Sequence, residues 1–167
     1  MDLNYDEIIK TYFDQANIVV KHQIDSYEEY IEKILPSIIS NYFPICMNFD
    51  SDKIKTIEFN IINVTIGEPI TTENNGCSKL LTPEIARLRN YNYVSPIIVD
   101  FKSTVTICEN ETFIKLNDKI IKNIFIGYIP VLLKSKYCTL NQSLENNECK
   151  FDHGGYSIIN GNEKVII

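Results

Sequence analysis

The 167-residue sequence lacks any apolar run approaching the roughly 18 residues that a membrane-spanning helix needs. It also lacks a positively charged start followed by an apolar stretch. The chain opens Met1-Asp2-Leu3-Asn4, so no secretory signal is expected. Positive charge is in short supply: 22 acidic residues face 16 basic ones, for a net charge of −6. That argues against a stand-alone nucleic-acid binder, which presents a basic field, but not against one edge of a larger nucleic-acid machine. Arginine occurs only as Arg87 and Arg89. Histidine occurs only as His22 and His153, and nothing places either beside a nucleophile, so no hydrolase centre is expected. There is no glycine-rich phosphate loop; Gly154-Gly155 is a lone pair of turn glycines. The five cysteines are odd in number and widely spread, which reads as reduced thiols in an intracellular protein. The sequons at Asn63, Asn110 and Asn141 are then not expected to carry glycans.

What is present suffices for one folded domain. Hydrophobic residues make up 44% of the chain, and a chain of this length buries about 70% of its unfolded surface. The first forty residues carry helical spacing. Tyr5, Ile8, Ile9, Tyr12, Phe13 and Ala16 form one apolar stripe, with Asn4 and Glu7 as a capping box. A second helix is expected from Ser26, lined by Tyr27, Tyr30, Ile31, Ile34 and Leu35, and Pro36 should kink or end it.

From Ile54 the period becomes two. Ile57, Phe59 and Ile61 alternate with polar residues, and Ile62, Val64 and Ile66 continue in the opposite phase, which predicts a β-bulge between Ile61 and Ile62. Gly67 to Lys79 reads as a polar connection. Thr82-Pro83-Glu84 reads as N-cap, first-turn proline and first-turn acid of a short helix stopping near Asn90. Val99, Phe101, Val105 and Ile107 predict a half-buried antiparallel strand. Ile120 to Leu133 predicts two short strands or a bent one, because Pro130 cannot donate in mid-sheet. Leu140 to Asp152 reads as loop, and Asn160-Gly161 between apolar runs as a hairpin turn. The chain closes on Val165-Ile166-Ile167, an apolar strand for which a partner, more chain or another strand, is expected. The fold class is α+β, N-terminal helices packed on a mostly antiparallel sheet.

Cys138, Cys149 and His153 do not have zinc-ligand spacing, and buried structural cysteines with a loop histidine are the simpler reading. Asp50-Ser51-Asp52 reads as a solvated turn. Lys134 and Lys136, two apart, would share one face if extended and could meet phosphates; an ordinary solvated strand face is the alternative. Lys164, after the hairpin turn, is open to both readings. Arg87 and Arg89 are expected to cap, to pair with acids or to pack.

Three stretches resemble one family. Leu81-Thr82-Pro83-Glu84-Ile85-Ala86-Arg87-Leu88-Arg89-Asn90, followed by Tyr93, Ser95-Pro96 and Val99-Asp100, is the first. Ile126-Gly127-Tyr128-Ile129-Pro130-Val131-Leu132-Leu133-Lys134-Ser135, then Cys138, is the second. Glu148-Cys149, Asp152, Gly154-Gly155-Tyr156, and Ile158-Ile159-Asn160-Gly161 through Glu163-Lys164-Val165-Ile166-Ile167 is the third. With Gln23-Ile24-Asp25-Ser26-Tyr27 upstream, they resemble the second-largest subunit of multisubunit DNA-directed RNA polymerases, nearer the eukaryotic, archaeal and viral branch than the bacterial one. The family usually has arginine at the Lys134 position.

The resemblance implies that residues 1–167 are the N-terminal part of a discontinuous protrusion domain, whose remainder and inserted lobe lie elsewhere. Such a segment belongs to a nucleotidyltransferase but is expected to be inactive alone, a non-catalytic wall of the DNA/RNA cleft. No catalytic residue, metal ligand or cofactor is expected in this chain; the family's Mg²⁺ is held by the largest subunit. The implied partners are the largest subunit, the remainder of the second subunit, the DNA template and the RNA–DNA hybrid, and no membrane. Lys164 becomes the foremost nucleic-acid contact and Lys134 the second, each as a phosphate contact rather than a base reader. The expected location is the nucleus, or a cytoplasmic viral factory or virion. The competing reading is a free-standing protrusion-like module that docks on a polymerase without catalysis.

Overall fold

A computed structural model describes residues 5–13, 18–49, 54–73, 76–109, 112–116, 118–141, 148–149 and 151–166. In chain order the elements are α1 (Tyr5–Phe13), α2 (Lys21–Glu29), a π-helical segment (Tyr30–Ile34), α3 (Leu35–Asn41), β1 (Ile45–Asn48), β2 (Ile54–Ile66), β3 (Ile70–Thr72), β4 (Ser78–Leu80), α4 (Pro83–Leu88), β5 (Val94–Glu109), β6 (Thr112–Lys115), β7 (Lys119–Pro130), a 3₁₀ turn (Thr139–Asn141), β8 (Ser157–Ile159) and β9 (Asn162–Lys164). Every strand pairing with a described register is antiparallel. The α+β class expected from the periodicities is the class observed. The chain folds as two units: Met1–Tyr30, Glu68–Val94 and Pro130–Ile167 form the first, and Ile31–Gly67 with Ser95–Ile129 the second.

The second unit is built on one sheet, in the order β1-β2-β5-β6, with β7 also pairing β5. Its β2–β5 register places Ile57 opposite Val105, Phe59 opposite Ser103, Ile61 opposite Phe101 and Val64 opposite Val99. The register shifts between Ile61 and Asn63, where the phase of the sequence predicted a bulge. The extra residue, Ile62, is exposed. Accommodating it returns Val64 and Ile66 to the face of Ile57, Phe59 and Ile61, so one apolar face survives along the strand. The opposite face pairs Thr56 with Thr106, Glu58 with Thr104 and Asn60 with Lys102. There Lys102 Nζ meets Asp118 Oδ2 at 2.6 Å, and Thr104 Oγ1 donates to Asp118 Oδ1 at 2.6 Å.

The first unit relies on short elements and a dense buried cluster of Leu81, Ala86, Tyr93, Val131, Leu133, Cys138 and Ile158. Thr82 caps α4, accepting the Ile85 N–H at 3.3 Å, and Pro83 occupies the first turn. Asn90, just past the helix, has φ +54°, a left-handed stop that asparagine tolerates. Tyr93 is fully buried. Its hydroxyl reaches Cys138 Sγ at 3.4 Å and Thr139 Oγ1 at 2.9 Å, and accepts the Thr139 N–H at 2.9 Å. Backbone bonds from Tyr93 N–H to the Ile158 carbonyl and from Val131 N–H to the Tyr93 carbonyl tie three distant segments together.

Several local expectations are corrected. The second helix starts at Lys21 rather than Ser26, so Ser26 is not its cap. Ahead of Pro36 the chain widens into the π-helical turn before resuming as α3, one way of accommodating a missing amide donor. Gly67 to Lys79 contains strand β3 and the start of β4; these paired strands are three residues each, too short to show a period. Ile120 to Leu133 yields a single strand ending on Pro130, and Val131-Leu132-Leu133 leave the sheet into a turn. The closing apolar run is not a strand through Val165 and Ile166: β9 ends at Lys164, and Ile166 is 81% exposed. Asn4, Ala16, Asp50-Ser51-Asp52 and Ile167 lie outside the described residues.

Candidate functional site

The first and third family-like stretches converge on Arg87, and Lys134 from the second joins them through Asp152. Helix α4 presents the guanidinium to residues 61 to 76 positions further along the chain. Nη1 donates to both oxygens of Glu148, at 2.8 and 2.9 Å. Nε donates to Glu163 Oε1 at 3.1 Å, and Nη2 to the Tyr156 hydroxyl at 2.7 Å. Asp152 Oδ2 lies 3.9 Å from Nη2. The Tyr156 hydroxyl that accepts from Arg87 donates onward to Asp152. The guanidinium carbon also sits 5.9 Å from the centre of the Tyr156 ring, within cation–π range. A planar fork with several fixed donors can satisfy this many acceptors; an ammonium cannot.

The site's electrostatics follow from that geometry. Burial favours a neutral Asp152, but hydrogen bonds from Tyr156 and the Gly154 N–H, with the charges of Lys134 and Arg87, outweigh it and hold the carboxyl below its ordinary value. Burial, then the hydrogen bond to Asp152, pushes the Tyr156 hydroxyl up, so it stays a proton donor. Burial works against the Arg87 charge, and the bonds to Glu148 more than restore it.

Lys164 and Lys134 occupy different settings. The hairpin β8–β9 pairs Ser157 with Lys164 and Ile158 with Glu163. Asn160 (φ +51°) and Gly161 (φ +73°) form its turn, the two left-handed positions of a type I′ hairpin. Ile158 is fully buried, and its cross-strand partner Glu163 reaches Arg87. Strand alternation then sends Lys164 to the other side, where it is exposed. Lys134 does not lie on a strand with Lys136. It has φ +63° in a turn, and its ammonium donates to the Asp152 carbonyl oxygen. The shared basic face that an extended stretch would give them is absent, because residues 131–141 contain no strand. Cys138 is buried against Tyr93, whereas Cys149 and His153 are exposed. Of the three roles expected for Arg87, capping, pairing with acids or packing, pairing is the one observed, but nothing in the spacing marked Glu148, Asp152 and Glu163 as its partners.

A family model described as RNA polymerase beta subunit matches residues 18–167, and the chain belongs to that family. More narrowly, it is the N-terminal region of a second subunit. It is 31% identical over 180 residues to DNA-directed RNA polymerase II subunit RPB2 of Schizosaccharomyces pombe, covering 96% of this chain and 15% of that protein. It is 33% identical over 182 residues to DNA-directed RNA polymerase II subunit 2 of Arabidopsis thaliana, with the same coverages. The DNA-directed RNA polymerase subunit 2 of Acanthamoeba polyphaga mimivirus is 31% identical over 156 residues, covering 90% of this chain and 13% of the viral protein. The chain thus spans about 15% of the length of these two cellular relatives.

Proposed function

We propose that this chain is the first part of a protrusion domain, a non-catalytic wall of the DNA/RNA cleft in a DNA-directed RNA polymerase. The observation that carries the reading is the outward lysine. Arg87 gathers the carboxylates of Glu148, Asp152 and Glu163, while Lys164, on the same hairpin as Glu163, stays exposed. An exposed ammonium suits a screened phosphate contact and carries no base readout. Lys134, committed to the Asp152 carbonyl, is the lesser candidate.

The partners in this reading are the largest subunit, the remainder of the second subunit, the DNA template and the RNA–DNA hybrid. The chain carries no cofactor of its own; the Mg²⁺ that supports nucleotidyl transfer is held by another subunit. The location is the nucleus, or a viral factory or virion. Support for a discontinuous domain comes from the second unit, where Phe43, Ile45, Met47, Phe59, Phe101, Ile121 and Ile124 line an apolar groove of about 300 Å³ on the sheet. Further protrusion sequence would cover such a surface.

The test is Lys164→Ala in the assembled polymerase, with elongation-complex lifetime measured against salt. The expected result is a modest loss of lifetime, largest at low salt. An unchanged salt dependence, with only a lower melting temperature, would reduce Lys164 to a surface salt-bridge residue. The isolated chain is expected to make no RNA and to bind DNA weakly; template-dependent synthesis by it alone would refute the non-catalytic role.

A further inference from the structure

Glu163 and Lys164 are adjacent, opposite in charge, and on opposite sides of a three-residue strand. The turn of that hairpin is held by backbone: Gly161 N–H donates to the Tyr91 carbonyl at 3.1 Å, and Asn160 N–H to Asn92 Oδ1 at 2.7 Å. A side chain at Gly161 would lie 2.9 Å from Asn90 Cα, so the turn sits directly against the end of α4. Past the turn, β9 holds β8 only through residues Asn162 to Lys164, and the exposed Val165 and Ile166 follow. The described side-chain hydrogen bond that ties Glu163, and with it the middle of β9, back to α4 is the one from Arg87 Nε.

We propose that Arg87 is a positioning residue for Lys164. The β8 register sets which side of β9 faces α4; by holding Glu163 on Nε, Arg87 steadies that side and therefore the side that presents the ammonium. By the same bond it balances the carboxylate nearest in sequence to that ammonium. The guanidinium is itself held by Glu148 and Tyr156, so its Nε has one direction to offer. A lysine in its place could not hold these acceptors in a plane. The inference rests on the phosphate contact proposed for Lys164 and adds the device that aims it.

The decisive variant is Glu163→Ala in the complete polymerase, because it cuts the link to β9 and leaves Glu148, Asp152 and Tyr156 on Arg87. Removing a negative charge beside a phosphate contact would, by charge alone, lengthen the lifetime of a complex with DNA and RNA. Positioning predicts the opposite: a lifetime shortened about 2- to 5-fold at low salt, the scale of one exposed ionic contact. The salt dependence should fall by about one phosphate's share, as in Lys164→Ala. Arg87→Gln should act in the same direction, Arg87→Lys should not restore the wild-type lifetime, and Glu163→Ala combined with Lys164→Ala should be no worse than Lys164→Ala alone. A longer lifetime for Glu163→Ala, or full additivity in the double variant, overturns the positioning role while leaving the Lys164 contact intact. A Lys164→Ala variant with wild-type salt dependence removes the contact itself, and the positioning role with it. Lower thermal stability of Arg87→Gln with an unchanged salt dependence marks Arg87 as purely structural.

Discussion

The two units solve the problem of cohesion differently. In the second, long strands do the work: β2 and β5 stay in register through a bulge, and their ladder bonds are made regardless of what covers the sheet. Its apolar face is correspondingly open, with Met47 still 49% exposed beside the groove. Among the described residues, the first unit has no strand longer than three residues wholly within it, so a ladder cannot hold it. It is held by full burial of Tyr93, Leu133 and Ile158, by side-chain bonds to backbone, and by one arginine shared among several acids. Regular secondary structure tolerates an unfinished core, because backbone pairing is local to the sheet. Irregular segments do not, because each of their polar backbone groups needs a specific partner.

That contrast can be broken experimentally, and the largest effect should come from the buried cluster. Leu133→Ala is expected to destabilise the first unit by about 2–5 kcal/mol, as truncations in closed cores do. Met47→Lys in the second unit should stay within about 0.5 kcal/mol, as surface changes do. Denaturant unfolding followed by hydrogen exchange in each unit separates the two; equal costs would mean the open face is not open. Next in size is Gly161→Ala. Its φ of +73° and the 2.9 Å approach to Asn90 Cα combine backbone strain with a clash, expected to cost about 1–3 kcal/mol. Loss of protection at the Gly161 and Tyr93 amides is the measurement.

Tyr93→Phe keeps the ring and removes the buried hydroxyl that accepts the Thr139 N–H and reaches Thr139 Oγ1 and Cys138 Sγ. The expected cost is about 1–3 kcal/mol, visible as a lower unfolding midpoint at an unchanged slope. The smallest effect concerns pH. The Asp152 carboxyl lies below its ordinary value in the fold, so its contribution is fully present above the unfolded value near 3.9 and is lost as pH falls through the folded one. Asp152→Asn should flatten the acid limb of the stability curve below about pH 4 and leave the neutral region's slope unchanged. The isolated chain, with Met47, Ile166 and the groove uncovered, is expected to self-associate. A sharp melt of a monomer, independent of concentration, would contradict that expectation.

Much of the fold was legible. The Thr82-Pro83 cap, the stop near Asn90, the Asn160-Gly161 turn and the bulge after Ile61 each follow from one residue's conformational preference or from a change of phase, and each appears where expected. The misses share a cause. Strands β3 and β4 are three residues long, below the length at which a period of two can be seen. The early start of α2 at Lys21 has no side-chain cap to announce it. Lys134 and Lys136 alternate with buried Leu133 and Ser135 as strand residues would, yet the backbone turns there, because Lys134 and Gly154 both adopt positive φ and Gly155 N–H donates to the Leu133 carbonyl.

By itself the sequence determined the α+β class, the positions of its punctuating residues and the family, because each is written in local preference or in the order of motifs along the chain. It also supplied every member of the ionic cluster. What only the tertiary structure decided is which carboxylates Arg87 holds, that Lys134 turns inward to the Asp152 carbonyl, and that Lys164 is left facing out. The physical reason is distance along the chain. Arg87 and Glu163 stand 76 residues apart, and a pairing of that span has no period, spacing or cap to reveal it. It exists because the backbone bonds of Tyr91, Tyr93 and Ile158 bring the hairpin to the end of α4 before any charge can choose its partner.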